Sequence, residues 1–142
     1  MEADLLTFVL KDFELAPRDV NAMPALTLAY LGDCVYELVV RTLLVERGIS
    51  HVSELNKAAV MLVRASAQKD VYHAVQAELS EEEAAVFRRG RNAKSTSCPK
   101  NATVADYHTA TGLEALMGYL YLKGRTDRIT ELIDKGIRGA GL

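Results

Sequence analysis

The chain has 142 residues, of which 49% are apolar, 25% are charged and three are proline, so the composition excludes a disordered protein. We predict one domain, residues 1–142, that buries its own core. No apolar run reaches the length of a membrane span, and the acidic start of the chain lacks the basic segment of a secretory signal. Two cysteines, Cys34 and Cys98, make no disulfide framework, so we expect a cytoplasmic protein.

Helix signals follow one another along the chain, and no alternating pattern typical of strands occurs. We predict helices over about 4–15, from 25 to a stop at Gly48, over 53–78 and 80–88, from 103 or 106 to a stop at Gly124, and over 126–136. Asn21 and Ser53 are candidate caps, and Ser80 with Glu83 is a capping box. These elements predict an all-α fold, a helical bundle.

The segment Ala25–Arg41 carries one isolated acid in an apolar helix. Asp33 is its only charged residue before Glu37, and Gly32 precedes it. A helical glycine costs about 1 kcal/mol relative to alanine, so Gly32 needs a packing or access reason. The isolated carboxylate either bonds a neighbouring helix end or holds a metal. The three- and four-residue steps predict one buried face, formed by Leu28, Leu31, Val35, Leu38, Val39 and Leu43.

The segment Ala105–Leu122 has the same design. Glu114 is its only acid after Asp106, and Gly118 lies four residues later on the same helical face. Its predicted apolar stripe is Leu113, Leu116, Met117 and Leu120. If the two faces meet, Asp33 and Glu114 converge with room for a cation and its waters. Oxygen ligands suit Mg²⁺ or Mn²⁺, and Mg²⁺ usually takes only one or two protein carboxylates.

A basic segment lies between these two helices. No acid occurs between Ala84 and Ala105, and the cations and amide there are Arg88, Arg89, Arg91, Asn92, Lys94 and Lys100. Glycine, serine and proline predict a loop over most of this segment. By composition alone, the segment either contacts RNA phosphates or is solvated surface that balances the preceding acids.

Two motifs resemble the ribonuclease III family. Leu28–Asp33 resembles the signature helix, whose final Asp binds the catalytic metal, and Leu113–Gly118 resembles the second motif, whose Glu is a metal ligand. Order, spacing and the basic segment most resemble its small stand-alone branch, Mini-ribonuclease III, over roughly residues 20–138. The resemblance implies a ribonuclease III-like endonuclease domain that cleaves double-stranded RNA, leaving 5′-phosphate and 3′-hydroxyl ends. The resemblance implies that Asp33 and Glu114 are catalytic metal ligands and favours RNA binding as the role of the basic segment.

The resemblance also implies partners. These are a second copy of the chain in a symmetric dimer, a precursor of large-subunit (23S) ribosomal RNA as substrate, and a large-subunit ribosomal protein that presents it. Larger members have acids where this chain has Ala29 and Thr111, which leaves the number of metal bonds open.

Two alternatives remain at this point. Ala29 and Thr111 favour a non-catalytic RNA-binding or ribosome-assembly module on the same fold. A helical interaction domain, with Asp33 and Glu114 as buried structural acids, is the other. Glu37 could extend the site, although we expect it to pair with Arg41 four residues on. His108 precedes Glu114 by six residues, which places it off that face.

Overall fold

The computed structural model describes residues 4–94, 98–100 and 102–142, and within them the chain forms seven α-helices and no strand. The helices are α1 (Leu5–Asp12), α2 (Ala25–Glu46), α3 (Val52–Val63), α4 (Ala65–Val75), α5 (Glu81–Asn92), α6 (Val104–Leu122) and α7 (Thr126–Gly139). Short 3₁₀ turns, Val20–Ala22 and Gln76–Glu78, precede α2 and α5. The predicted all-α fold is confirmed. None of the helices in the described ranges combines the length and apolarity needed to cross a bilayer.

Helix α6 is the centre of the bundle and packs against α2, α4, α5 and α7. Its predicted stripe is confirmed, since these side chains are at most 2% exposed: Leu113, Leu116, Met117 and Leu120. Burying each contributes about 1.5–3 kcal/mol to folding. The Thr103 hydroxyl accepts a hydrogen bond from the backbone N–H of Asp106 and so caps the start of α6. Of the two predicted starting positions, 103 and 106, the first is therefore confirmed.

Helices α2 and α6 meet backbone to backbone at two glycines. A Cβ on Gly32 would overlap the carbonyl oxygen of Glu114, and a Cβ on Gly118 would overlap the carbonyl oxygen of Leu28. Close approach is therefore the packing reason for both glycines, and it offsets their helix-propensity cost of about 1 kcal/mol each. Because Gly32 directly precedes Asp33, this crossing also determines how near the two isolated acids come.

The buried face of α2 differs from the predicted one. The buried residues are Leu28, Ala29, Gly32, Tyr36, Val40 and Leu44. Leu38 is 57% exposed, and the other predicted positions besides Leu28 are half-buried. The helix is apolar around most of its circumference, so spacing alone did not select a face, whereas the backbone contact at Gly32 does.

The single helix predicted over 53–78 is wrong, because the chain breaks at Arg64, whose backbone is extended with ψ 156°. The break leaves carbonyl groups at the end of α3 without helical partners. The Tyr36 hydroxyl donates to the carbonyl of Leu62 at 2.9 Å, and the Gln68 side-chain amide donates to that of Val63 at 2.8 Å. The first bond comes from another helix and the second from the start of α4, and together they stabilise a break at which the sequence has no proline or glycine.

Helix α5 continues to Asn92, beyond its predicted end at Arg88. Gly90 does not terminate it, because Gly90 packs on α6, where a Cβ would lie 2.7 Å from the Cβ of Ala115. The predicted loop is therefore wrong for Arg89–Asn92, which form the last part of a helix. The capping box at the start of α5 is confirmed.

The remaining helix ends agree with the sequence in part. Helices α2 and α6 end just before Gly48 and Gly124, which both have positive φ, as expected for helix stops. Asn21 lies within a 3₁₀ turn and Ser53 within α3, so neither is the predicted cap. The ends of α1 and α7 lie at residues 12 and 139, against predicted ends at 15 and 136.

Candidate active site

An open cleft with a volume of about 560 Å³ lies beside the crossing of α2 and α6. Seven of its lining residues come from α2 and three from α6. The acids among them are Asp33, Glu37 and Glu114. The two helices that the sequence singled out are therefore the two that form the cleft.

Asp33 and Glu114 lie together in this cleft. Asp33 is exposed and Glu114 is half-buried, and their carboxyl groups are within hydrogen-bonding reach. Burial and, second, the negative charge of Asp33 raise the pKa of Glu114 well above its usual range. Within the described ranges, neither carboxylate forms an ion pair with a lysine or arginine. Two adjacent acids without a cationic neighbour form an arrangement that a bound cation stabilises.

A third side chain, Gln68 on α4, contacts Glu114 and was not singled out by the sequence. Gln68 is 3% exposed, and its Nε2 donates to the Glu114 carboxylate at 3.2 Å as well as to the carbonyl of Val63. Its Oε1 is buried without a hydrogen-bond partner in the described part of the chain. A single glutamine in a helix gives no signal, and only the break at Arg64 brings it to the site.

The donor set fits a hard divalent cation. Asp33 and Glu114 present carboxylate oxygens, and Mg²⁺ commonly takes one or two carboxylates while keeping several waters. Across residues 4–94, 98–100 and 102–142, no group of three or more His, Cys, Asp or Glu is placed to hold a metal. Ala29 and Thr111 line the same cleft, but alanine has no side-chain oxygen and the Thr111 hydroxyl donates to the carbonyl of Tyr107 at 2.9 Å. The available carboxylates are thus a pair, not a set of four.

Glu37 and His108 contribute less to the cleft. The Glu37 carboxylate lines it but pairs with Arg41 at 2.9 Å, as expected from their spacing. His108 is half-buried, packs edge-on against Tyr107 with ring centroids 5.9 Å apart, and does not line the cleft.

The predicted RNA-binding residues occupy the end of α5 and the chain beyond it. Arg88, Arg89, Arg91 and Asn92 are helical, Lys94 and Lys100 follow, and residues 95–97 and 101 of this segment lie outside the described residues. Arg89 donates to the carbonyl of Met23 at 2.6 Å, so it also holds the turn before α2. Arg91 bonds Asn92 at 3.3 Å. All five cations of this segment are exposed and form no ion pair with any described residue: Arg88, Arg89, Arg91, Lys94 and Lys100.

The end of α5 adjoins the cleft. A Cβ on Gly90 would lie 2.9 Å from the Cα of Gly112 and 3.1 Å from the carbonyl oxygen of Thr111, which lines the cleft. The helix end that carries these cations therefore packs against the part of α6 that holds Thr111, on a chain whose net charge is −2.

Known proteins resemble this chain over both carboxylates. Residues 26–125 match the family model described as the Ribonuclease III domain. The Mini-ribonuclease 3 of Symbiobacterium thermophilum is 49% identical over 111 residues, which are 78% of this chain and 85% of the relative. The Mini-ribonuclease 3 of Thermoanaerobacter sp. is 38% identical over 138 residues, 97% of each chain. An X-ray crystal structure of a Fusobacterium nucleatum protein matches with a TM-score of 0.76 and 33% identity, covering 86% of this chain and 98% of that one.

Proposed function

The chain belongs to the ribonuclease III family, in its Mini-ribonuclease 3 branch, and is an endoribonuclease, and from this premise we propose that it hydrolyses double-stranded RNA at the Asp33–Glu114 pair. The observation that carries the proposal is the contact of these two carboxyl groups in an open cleft. Neither acid has the ion pair that a structural role would supply within the described ranges, and Asp33 is exposed, which argues against buried structural acids. We propose one catalytic domain, residues 1–142, in a cytoplasmic enzyme.

Asp33 and Glu114 would hold Mg²⁺, or Mn²⁺ in its place. Such an ion, when bound, activates water and neutralises phosphate charge. The protein orients the two carboxylates through the rigid crossing at Gly32 and restrains Glu114 through the Gln68 amide. We expect products with 5′-phosphate and 3′-hydroxyl ends.

The test is cleavage of an end-labelled RNA duplex, with Mg²⁺ and then with excess chelator. We expect cleavage only with the cation present, and activity that persists in chelator would contradict the proposal. Glu37→Gln is the matched control for Asp33→Asn, because it removes one acid from the same cleft. It should retain cleavage, since the Glu37 charge is already paired with Arg41.

We propose that two copies pair through the outer face of α2. Leu38 and Val45 are exposed there, and Leu26 and Tyr30, which is 85% exposed, extend this apolar surface to the cleft that they line. Large apolar residues that recur along one exposed helix face indicate a protein interface. A two-fold dimer would place two cleavage centres on one duplex, one for each strand.

We propose that exposed cations at and beyond the end of α5 hold the RNA backbone. The helix end that carries them packs on Thr111 of the cleft, and A-form RNA is recognised mainly through its shape, phosphates and 2′-hydroxyls. Arg138→Ala is a matched control for Arg91→Ala, because Arg138 is an exposed arginine in the last turn of a different helix, α7. Only the Arg91 change should weaken binding.

The natural substrate that we propose is a duplex in the precursor of 23S ribosomal RNA, presented by a large-subunit ribosomal protein. Membership of the Mini-ribonuclease 3 branch supports this choice. Sequencing of ribosomal RNA ends from cells that lack the protein tests it. Fully mature 23S ends in those cells would contradict the proposal, whereas extended ends would support it.

A further inference from the structure

The side-chain amide of Gln68 is buried, and its oxygen lacks a hydrogen-bond partner among the described residues although its nitrogen donates to two groups. Its Nε2 faces the carbonyl of Val63, which can only accept, so the nitrogen must lie on that side and the oxygen on the other. The oxygen, Oε1, is buried and receives no hydrogen bond from any residue within the described ranges. Buried polar atoms are almost always satisfied by protein or by ordered water. The described part of the chain therefore supplies Oε1 with no donor.

We propose that Gln68 is a positioning residue for the Asp33–Glu114 centre, whose N–H group orients the Glu114 carboxylate and whose Oε1 accepts a hydrogen bond from a water. The inference rests on the proposed role of Glu114 as a cation ligand. With a cation bound, both carboxylates are ionised and only accept hydrogen bonds, so neither acid can then satisfy Oε1. A water donates twice and can bridge Oε1 to a carboxylate oxygen, which gives it the polar partners that a buried water needs.

The competing explanation is that Gln68 only caps the end of α3. Tyr36 offers a matched comparison, because its hydroxyl donates to Leu62, the carbonyl next to that of Val63. Tyr36 is fully buried, and Glu114 contributes to the raised pKa of its hydroxyl, so it is similarly near the site. Tyr36→Phe thus removes one capping hydrogen bond but leaves the Gln68–Glu114 contact intact. If capping were the whole role of Gln68, Gln68→Met and Tyr36→Phe would behave alike.

The experiment measures Mn²⁺ binding to the full-length protein without RNA, from the electron paramagnetic resonance signal of the free ion. Thermal unfolding is recorded for every variant. Removing a group that orients a metal ligand typically weakens metal binding by about 10- to 100-fold, and we expect this for Gln68→Met. Tyr36→Phe should lower the melting temperature and leave the Mn²⁺ affinity unchanged. Equal Mn²⁺ affinity in Gln68→Met and the unmutated protein would overturn the inference.

Glu114→Gln separates this failure from failure of the proposed function. If Glu114→Gln binds Mn²⁺ as well as the unmutated protein, the proposed cation site itself is wrong. If it loses binding while Gln68→Met retains it, only the role of Gln68 is wrong.

A second measurement covers the case in which Gln68→Met does not fold. A crystal structure of the unmutated protein with Mn²⁺ should show an ordered water within hydrogen-bonding distance of Gln68 Oε1. An Oε1 that bonds a protein donor, or no density there at high resolution, would overturn the inference.

Discussion

Asp33→Asn should abolish cleavage and, in chelator, make the protein more stable. Asparagine keeps the shape of the side chain but removes the charge that faces Glu114. Loss of the ligand should slow cleavage by about a thousandfold or more, which corresponds to about 4 kcal/mol of lost transition-state stabilisation. The same change relieves the repulsion between two carboxylates that the fold forces together.

The size of the stabilisation follows from the surroundings of the pair. Two unit charges about 4 Å apart repel by about 1 kcal/mol in bulk water and by about 4 kcal/mol at an effective dielectric constant of 20. Asp33 is exposed and Glu114 half-buried, so the relief should lie between these limits once the pH exceeds the Glu114 pKa of about 8 and both groups are charged. For a chain of this length, each kcal/mol raises the melting temperature by about 2–4 °C.

The sign of the pH dependence follows from the direction of the Glu114 shift. Its folded pKa is raised by burial and by Asp33, so Glu114 binds a proton more tightly in the folded than in the unfolded protein. Its contribution to stability is therefore complete below the unfolded value of 4.5 and is lost as the pH rises through the folded value. Asp33→Asn removes the second cause of this shift, so its advantage over the unmutated protein in chelator should grow with rising pH.

The assay is thermal unfolding at several pH values, in chelator and in Mg²⁺, alongside single-turnover cleavage. Saturating Mg²⁺ should stabilise only the unmutated protein, by about 2.7 kcal/mol at 100 times its dissociation constant. The stability advantage of Asp33→Asn over the unmutated protein should therefore shrink or reverse in Mg²⁺. A stable Asp33→Asn protein that still cleaves would refute the catalytic assignment. An Asp33→Asn protein less stable than the unmutated one in chelator would refute the like-charge description of the pair.

Three further predictions concern the site and its surroundings. Glu114→Gln should lose cleavage as completely as Asp33→Asn, and single-turnover rates of the double mutant should be little lower, because groups that act as a unit are not additive. The double substitution Arg91→Ala and Lys94→Ala should lower the affinity for RNA duplexes about equally for all sequences. In binding titrations at several salt concentrations, the slope of log affinity against log salt concentration should become shallower by about one per lost phosphate contact. An unchanged slope would assign these cations to solvated surface. Leu38→Glu should shift sedimentation from dimer to monomer, and a fully active, monomeric unmutated protein would exclude the proposed dimer.

The sequence predicted the residues that meet at the cleft but not the helix face that is buried. Isolated acids next to glycines are a local signal, because each is unfavourable in an apolar helix without a specific reason. The face of α2 carries no such signal, since exposed Leu38 and buried Val40 are both apolar. Which of them enters the core depends on the crossing at Gly32, which involves residues about 80 positions apart in the chain.

Two features of the fold were not predicted, for the same physical reason. They are the break at Arg64 and the continuation of α5 past Gly90. Glycine usually marks a helix end, yet Gly90 stays helical because α6 needs the space of its missing side chain. Arg64 lies in a sequence with good helix formers on both sides, yet the helix stops there. In both cases tertiary contacts override the local preference.

These two tertiary effects produce the parts of the site that local patterns cannot show. The break at Arg64 turns α4 so that Gln68 reaches Glu114, and the continued helix packs the cation-bearing end of α5 on Thr111 through Gly90. A chain with only the two acidic motifs would hold a pair of repelling carboxylates without further support. Here the glycine crossing sets their approach, Gln68 restrains one of them, and the fold tolerates the repulsion because more than twenty buried apolar residues form a common core. The repulsion that Asp33 causes lowers the stability of the cation-free protein, and the same negative charge favours binding of a cation. Asp33→Asn should therefore raise the stability of the cation-free protein and lower its cleavage rate.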